Sequence, residues 1–225
     1  MIKTIQDIID KAVQIETKTL VVAVANDHHV LESVHMAKEK NIVKPILVGD
    51  QNDILETLDD LGIEKDGYEI VHVIDPVQAC EEAVKIVSSN DGTILMKGYV
   101  DTAVILRAAL DKDYGLRTKN RLSHVSVMEI PTYHKLLLMS DGAMNIDPDV
   151  NIKQEIIENA LVIGKALEIE PLKVGVIAAI EKVNPKMQAT LDAAELVTRC
   201  HKETIKDCIV GGPFALDNAI NKEAA

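Results

Sequence analysis

Short apolar runs and stretches of helical period alternate along most of this chain. Leu20-Val21-Val22-Ala23-Val24-Ala25 is an unbroken apolar run ending at Asn26-Asp27, the pattern of a buried parallel strand that opens into a loop. His28 to Lys40 then places Val30, Leu31, Val34 and Ala37 on one helical face. Pro45 to Gly49 predicts a second strand, Asn52 to Leu61 a helix, Glu69 to Ile74 a third strand and Val77 to Ser88 a helix. Thr93 to Met96 predicts a fourth strand and Asp101 to Leu110 a helix. An N-terminal helix over Ile5 to Val13 precedes them. A succession of β-α units of this kind predicts a mostly parallel, doubly wound α/β fold with helices on both faces of the sheet.

After Tyr114-Gly115 the rhythm changes. His124 to Ile130 and Lys135 to Met139 are strand-like runs separated by Pro131-Thr132-Tyr133-His134, which suggests a hairpin. Alternation resumes with a helix at Ile152 to Leu167, a strand at Lys173 to Ala178 and a helix at Gln188 to His201. A strand at Asp207 to Val210 and a helix at Ala215 to Asn221 follow. The change near Gly115 to Asn120 divides the chain into a first α/β domain, 1–118, and a second, 119–225. No Pro/Gly/Ser linker separates them, so two closely coupled halves are expected.

Composition narrows the functions available. Aromatic residues make up 2% of the chain, too few for the stacking platforms of RNA-binding and single-stranded DNA modules. A net charge of −12 repels nucleic acid and anionic lipid over most of the surface, so an anion would need a local basic pocket. Three cysteines, Cys80, Cys200 and Cys208, have no C-x-x-C spacing and offer neither a disulfide framework nor a zinc site. His28, His29 and His35 sit at a loop and a helix start, where no metal ligation is expected. The N-terminus carries acids, so no signal peptide is expected there, and no apolar run approaches a membrane span. A cytoplasmic protein is expected.

One segment reverses the overall charge. From Lys97 to Arg121 there are six basic residues against three acids, a local +3. It starts where a buried strand ends in Lys97-Gly98 and a helix begins near Asp101-Thr102, and strand carboxyl ends line the binding crevice of open α/β sheets. A helix N-terminus offers N–H groups to an anion, Gly98 lets backbone approach a ligand, and Thr102 can cap or donate its hydroxyl. Arg107 can supply a planar guanidinium to phosphate. A capped helix followed by a solvated basic loop would carry the same charges.

Further along, Ser123-His124 opens a strand without the G-x-S-x-G elbow of a hydrolase, and a structural role for His124 outweighs a triad. Asp141 and Asn145 are a potential carboxylate–amide pair after a strand, with Asp141 able to orient a basic residue, bind a ligand hydroxyl or begin a turn. In Asn184-Pro185-Lys186 the Asn can cap, the Pro fixes the helix entry and the Lys could meet phosphate. Gly211 to Asp217 has the same strand-loop-helix placement. Several such loops together describe a crevice between two domains, the usual setting of a small-molecule enzyme.

At these residues the chain resembles the phosphate acetyl/butyryltransferase family, and within it the butyryltransferases. The likeness rests on Val22 to Asp27, Ile46 to Asp50, Met96-Lys97-Gly98, Leu106-Arg107, Gly115 to Thr118 and Ser123-His124-Val125. It continues through Asn184 to Met187, Leu191 to Ala194 and Gly212 to Asp217, in order and spacing over the whole length. The resemblance implies a two-domain architecture like that of isocitrate and isopropylmalate dehydrogenases. It implies reversible transfer of a butyryl or branched short acyl group between coenzyme A and inorganic phosphate. Coenzyme A is then a substrate, no cofactor or metal is bound, and the partners are acyl-CoA, phosphate, acyl phosphate and further copies of the chain in a homodimer or higher homo-oligomer. Arg107 matches the family's phosphate-binding arginine. Ser123 and Asp141 join it as catalytic candidates, and Lys97, Gly98, Thr102, Asn145, Asn184 and Lys186 as substrate-binding candidates.

The chain departs from the pattern at Gly211, where relatives carry an acid, and at Phe214, where they carry Leu. Relatives also continue for several dozen residues, with a Ser-Arg segment, a catalytic acid and a final strand and helix. A truncated or disabled relative that keeps a coenzyme A or phosphate site is therefore the competing expectation. A dehydrogenase of related architecture is the third, and the absence of G-x-G-x-x-G and of a metal-binding Asp cluster counts against it.

Overall fold

A computed structural model describes residues 2–221. The chain forms two compact units: Ile9–Lys119, and the residues from Asn120 onward together with those up to Ile8. A short amphipathic helix, α1 (Ile5–Ala12), spans the first junction.

The Ile9–Lys119 unit runs β1 (Lys18–Ala23), α2 (His28–Glu39), β2 (Val43–Gly49), α3 (Gln51–Asp60), β3 (Glu69–His72), α4 (Pro76–Ser88), β4 (Ile94–Lys97) and α5 (Thr102–Ala109). All four strands are parallel, in the order β3-β2-β1-β4. The alternation of β1 explains why helices cover both faces. Val21 and Ala23 pack with Ala79, Cys80, Ala83 and Val84 of α4 and Ile105 and Ala108 of α5. Leu20 and Val22 point the other way, against Leu31 and Val34 of α2 and Ile54 and Leu58 of α3. These side chains are almost wholly buried, each contributing roughly 1.5–3 kcal/mol if it is a Val, Leu or Ile.

Each helix that follows a strand in this unit is capped by an aspartate. Asp27 accepts from Val30 N, Asp50 from Asn52 N, Asp75 from Val77 N and Gln78 N, and Asp101 from Ala103 N. The cap of α5 is therefore Asp101, and Thr102 is its first helical residue rather than its cap. Both residue types can cap; the strand-loop length decides which one stands at the helix entry.

In the second unit, β5 (Ser126–Met128) and β6 (Leu137–Met139) pair antiparallel as the expected hairpin. The order continues α6 (Val150–Ala166), β7 (Leu172–Ile177), α7 (Gln188–His201), β8 (Cys208–Phe214) and α8 (Leu216–Ile220). β7 and β8 form a two-stranded parallel pair covered by Ile157 of α6 and Leu196 of α7. Lys153 of α6 meets the buried Asp192 of α7 at 2.5 Å, and Gln188 donates to the same carboxylate at 2.7 Å. A second cluster joins Ile2, Leu136 and Leu167, with Ile8, Val127 and Ile163 packed on it. These contacts carry the N-terminal residues into this unit.

One loop is a strand. Gly211-Gly212-Pro213-Phe214, expected as a loop before the last helix, belongs to β8. The pairing survives these loop-forming residues through a register shift between Gly175 and Ile177, and Ala178 N donates to Phe214 O at 2.8 Å. Gly212 has a φ of +141°, and a Cβ there would lie 2.7 Å from Val176 O, so only glycine serves. Pro213 is tolerated because, among the described residues, β8 has a partner strand on one edge alone.

Candidate functional site

The candidates fall into two groups, one in each unit. In the Ile9–Lys119 unit Lys97, Gly98 and Thr102 lie at the β4–α5 corner, and Arg107 lies further along α5. The chain goes from β1 to β2 and β3 on one side and returns to β4 on the other, so the switch in direction falls between β1 and β4. Ligands of open α/β sheets bind outside the strand ends at such a switch point.

The corner is fixed by backbone. Gly98 N donates to Ala23 O at 2.8 Å and Tyr99 N to Val24 O at 2.9 Å, extending the β1–β4 pairing past the strands. A Cβ on Gly98 would sit 2.1 Å from Val24 O, an impossible contact. Gly98 thus lets two strand ends touch, a reason that requires no ligand. Val24, on the facing turn, holds a φ of +58°, unusual for a β-branched residue and the kind of strain found where surrounding structure over-determines a turn.

Lys97 is exposed, and its ammonium donates to Val100 O at 2.9 Å and Gly98 O at 3.4 Å, closing the corner on itself. Asp101 takes the Ala103 N–H that the helix start would otherwise offer to an anion. Thr102 is exposed beside it. Arg107 lies in the last turn of α5, also exposed, and its guanidinium has no hydrogen bond or ion pair among the described residues. It is five positions past Thr102, roughly 7.5 Å along the axis, and helical side chains lean back towards the N-terminus.

The local charge reversal is not neutralised. Asp101 and Asp111 spend their carboxylates on backbone N–H groups, Asp111 accepting from Asp113 N at 2.8 Å and Tyr114 N at 3.3 Å. Among the described residues Arg107, Lys112, Arg117 and Lys119 meet no carboxylate, while Arg121 approaches Glu155 at 3.9 Å. Gly115 closes the turn after α5, where a Cβ would lie 2.4 Å from Asp111 O.

In the other unit, Asp141 and Asn145 share a network that reaches the backbone of Leu122, the residue before Ser123. Asp141 accepts from Ala143 N at 2.9 Å and Met144 N at 3.0 Å through one oxygen, and from Asn145 Nδ2 at 2.6 Å through the other. Burial alone would raise its pKa. The N–H groups of Ala143 and Met144, the Asn145 amide and the His124 backbone overcome this and hold it at about 2. Asn145 Nδ2 also donates to Leu122 O at 3.2 Å. His124 contributes its carbonyl to the Ser140 hydroxyl at 2.6 Å.

Asn184 does not cap α7. Its Oδ1 accepts from Lys186 N at 2.9 Å, before the helix, and its own N–H donates to the buried Thr190 hydroxyl at 2.8 Å. The capping position is Met187, without a side-chain bond. Lys186 is exposed.

Sequence reasoning missed Asn159 and Glu155, four residues apart on α6. Asn159 Nδ2 donates to Arg121 O at 2.8 Å and to Ser123 Oγ at 2.7 Å, and Glu155 accepts from Arg121 N at 3.2 Å. Their spacing marks a common helical face, but nothing in the sequence names the loop that face receives. Among the described residues no group of three or more His, Cys, Asp or Glu side chains is placed to hold a metal ion, and no helix is long and apolar enough to cross a membrane.

Comparison with known proteins adds the chemistry. The sequence matches the family described as phosphate acetyl/butaryl transferase over residues 4–82 and 74–225. It is 43% identical over 225 residues to the phosphate butyryltransferase of Clostridium beijerinckii, covering 100% of this chain and 74% of that one. To the phosphate butyryltransferase of Clostridium acetobutylicum it is 42% identical, covering 100% and 75%. To the phosphate acetyltransferase of Thermotoga maritima it is 40% identical, covering 92% and 70%. Among solved structures, a branched-chain phosphotransacylase from Enterococcus faecalis V583 superposes with a TM-score of 0.79 at 30% identity, over 92% of this chain and 72% of that one.

Proposed function

Because this chain belongs to the phosphate acetyl/butaryl transferase family, we propose that it transfers a short acyl group reversibly between coenzyme A and inorganic phosphate. A phosphate oxygen attacks the thioester carbonyl, the tetrahedral oxyanion collapses, and the carbon–sulfur bond breaks to release coenzyme A as thiolate. The products are acyl phosphate and coenzyme A. Such a reaction needs cations to hold phosphate, a hydrogen-bond donor for the oxyanion and a fixed approach of the two substrates.

The observation that carries this reading is the guanidinium of Arg107, unpaired among the described residues, on the helix that leaves the β4–α5 corner. It is free for bidentate contact with phosphate, and the carboxylates of Asp101 and Asp111 are committed to backbone. Lys97, Gly98 and Thr102 shape that corner, with Lys97 able to exchange a carbonyl for phosphate. Ser123 supplies a hydroxyl. Asp141, held at about 2, is a poor base at neutral pH; its part in this reading is to organise the turn to Asn145. Asn184 orders the loop that carries Lys186, a further cation for the substrates' phosphates.

The likeness to butyryltransferases and to a branched-chain phosphotransacylase supports butyryl or branched short acyl groups as substrates. It also favours an active enzyme over a disabled relative. An architecture of the isocitrate dehydrogenase kind, with substrates in a crevice, belongs to the same reading, as do a cytoplasmic location and a homo-oligomeric state. The test is thiol release from butyryl-CoA. Release that depends on phosphate, with isobutyryl-CoA accepted and acetyl-CoA used less well, is expected. Thiol release indifferent to phosphate would overturn the proposal.

A further inference from the structure

We propose that Asn159 is a positioning residue that fixes the Ser123 hydroxyl as a hydrogen-bond donor to the reacting phosphate or oxyanion. The inference rests on the acyl-transfer reading above and assigns a polarity to one of its groups.

The argument starts from hydrogen-bond capacity. The Asn159 amide nitrogen donates to Arg121 O at 2.8 Å. A carbonyl can only accept, so this bond sets which end of the amide faces the loop. The same nitrogen lies 2.7 Å from Ser123 Oγ, and its second hydrogen goes there. Ser123 therefore accepts from Asn159 and cannot donate to it. A hydroxyl has one proton, and among the described residues no group takes the proton of Ser123. It is left to donate outward.

The backbone around this hydroxyl is held just as deliberately. Residues 121–125 belong to no helix or strand. Arg121 N donates to Glu155 Oε2 at 3.2 Å, and Leu122 O accepts from Asn145 Nδ2 at 3.2 Å. α6 and the 141–145 turn thus hold successive residues of one irregular segment, and Ser123 is the residue they leave with a free proton. α6 is a fit support because its other sides are buried with Ile157 in one apolar cluster and Leu167, just past its end, in another. The arrangement also bears on mechanism. A serine nucleophile needs a neighbour to accept its proton, and Ser123 has none among the described residues. A donor to developing negative charge needs only what the structure supplies.

The test is a double-mutant cycle on the full chain, read as phosphate-dependent thiol release from butyryl-CoA. Ser123→Ala should lower kcat on the order of 10²-fold, the usual loss when one donor to an oxyanion is removed. Asn159→Asp keeps the shape but turns the neighbour of Ser123 into an acceptor, drawing the hydroxyl proton inward. It should lower kcat as far as Ser123→Ala does, leave the KM for butyryl-CoA unchanged, and cost nothing more when added to Ser123→Ala. Asn159→Ala gives a second cycle should the aspartate variant fold poorly, with a smaller loss that again vanishes in the Ser123→Ala background. A purely structural Asn159 predicts losses that multiply, and multiplication with an active wild type overturns this inference alone. A wild type without phosphate-dependent release overturns the acyl-transfer reading and this inference with it.

Discussion

At the β4–α5 corner the backbone does the placing: Gly98 and Tyr99 continue a strand pairing, and the functional candidates ride on the elements that meet there. Around Ser123 the backbone is irregular, and side chains from α6 and the 141–145 turn take over, reaching it across 23 to 38 residues of sequence. The first arrangement suits a group whose work is to present charge, because a long Arg107 side chain on a rigid helix can adapt to an anion. The second suits a group whose proton must point one way. An oriented hydroxyl requires its acceptor side to be occupied, which only another side chain can do.

Substitutions can break each device separately. Gly98→Ala should have the largest effect on the fold, on the order of 3 kcal/mol, because its Cβ has no room against Val24 O and the obstacle is backbone. A urea midpoint equal to wild type would show that the corner is not built by this contact.

The side-chain device should give way more gently. Asp141→Asn removes a carboxylate held at about 2, below its ordinary 3.8, and sets an amide against Asn145. A depressed folded value means the contribution is complete above about pH 4 and is lost as pH falls through 2. The variant should therefore be less stable by about 1–2 kcal/mol at pH 7, allowing for partial exposure, and the gap to wild type should close in strong acid. A gap that persisted unchanged at pH 2 would remove the charge from the explanation.

Asp101→Ala is the mildest case, about 1 kcal/mol for a lost helix cap. Thermal unfolding that showed no loss would mean water or Thr102 substitutes for the cap.

The same contrast explains what could be read from the chain. β1 is an apolar run ending in a polar loop, and its pattern survives folding because burial on both faces selects it. The helix from Gln188 to His201 begins and ends where its periodicity says. The charge reversal from Lys97 to Arg121 and its strand-end position were legible as well. Asp101 and Thr102 could not be ranked as caps, since both types cap and only the loop geometry chooses. Gly211 to Phe214 looked like a loop because Gly and Pro favour loops locally, whereas a bulged edge pairing carries them as strand. Asn159 was invisible for a different reason. It is a polar residue in the middle of a helix, and its partners are fixed only by tertiary structure.

The measurement that bears most directly on the central claim is the phosphate saturation curve of Arg107→Ala with butyryl-CoA held in excess. The unpaired guanidinium is assigned to phosphate, so kcat/KM for phosphate should fall on the order of 10²-fold while the KM for butyryl-CoA stays near wild type, and Arg107→Lys should recover only part of the loss. A phosphate curve indistinguishable from wild type would contradict the account.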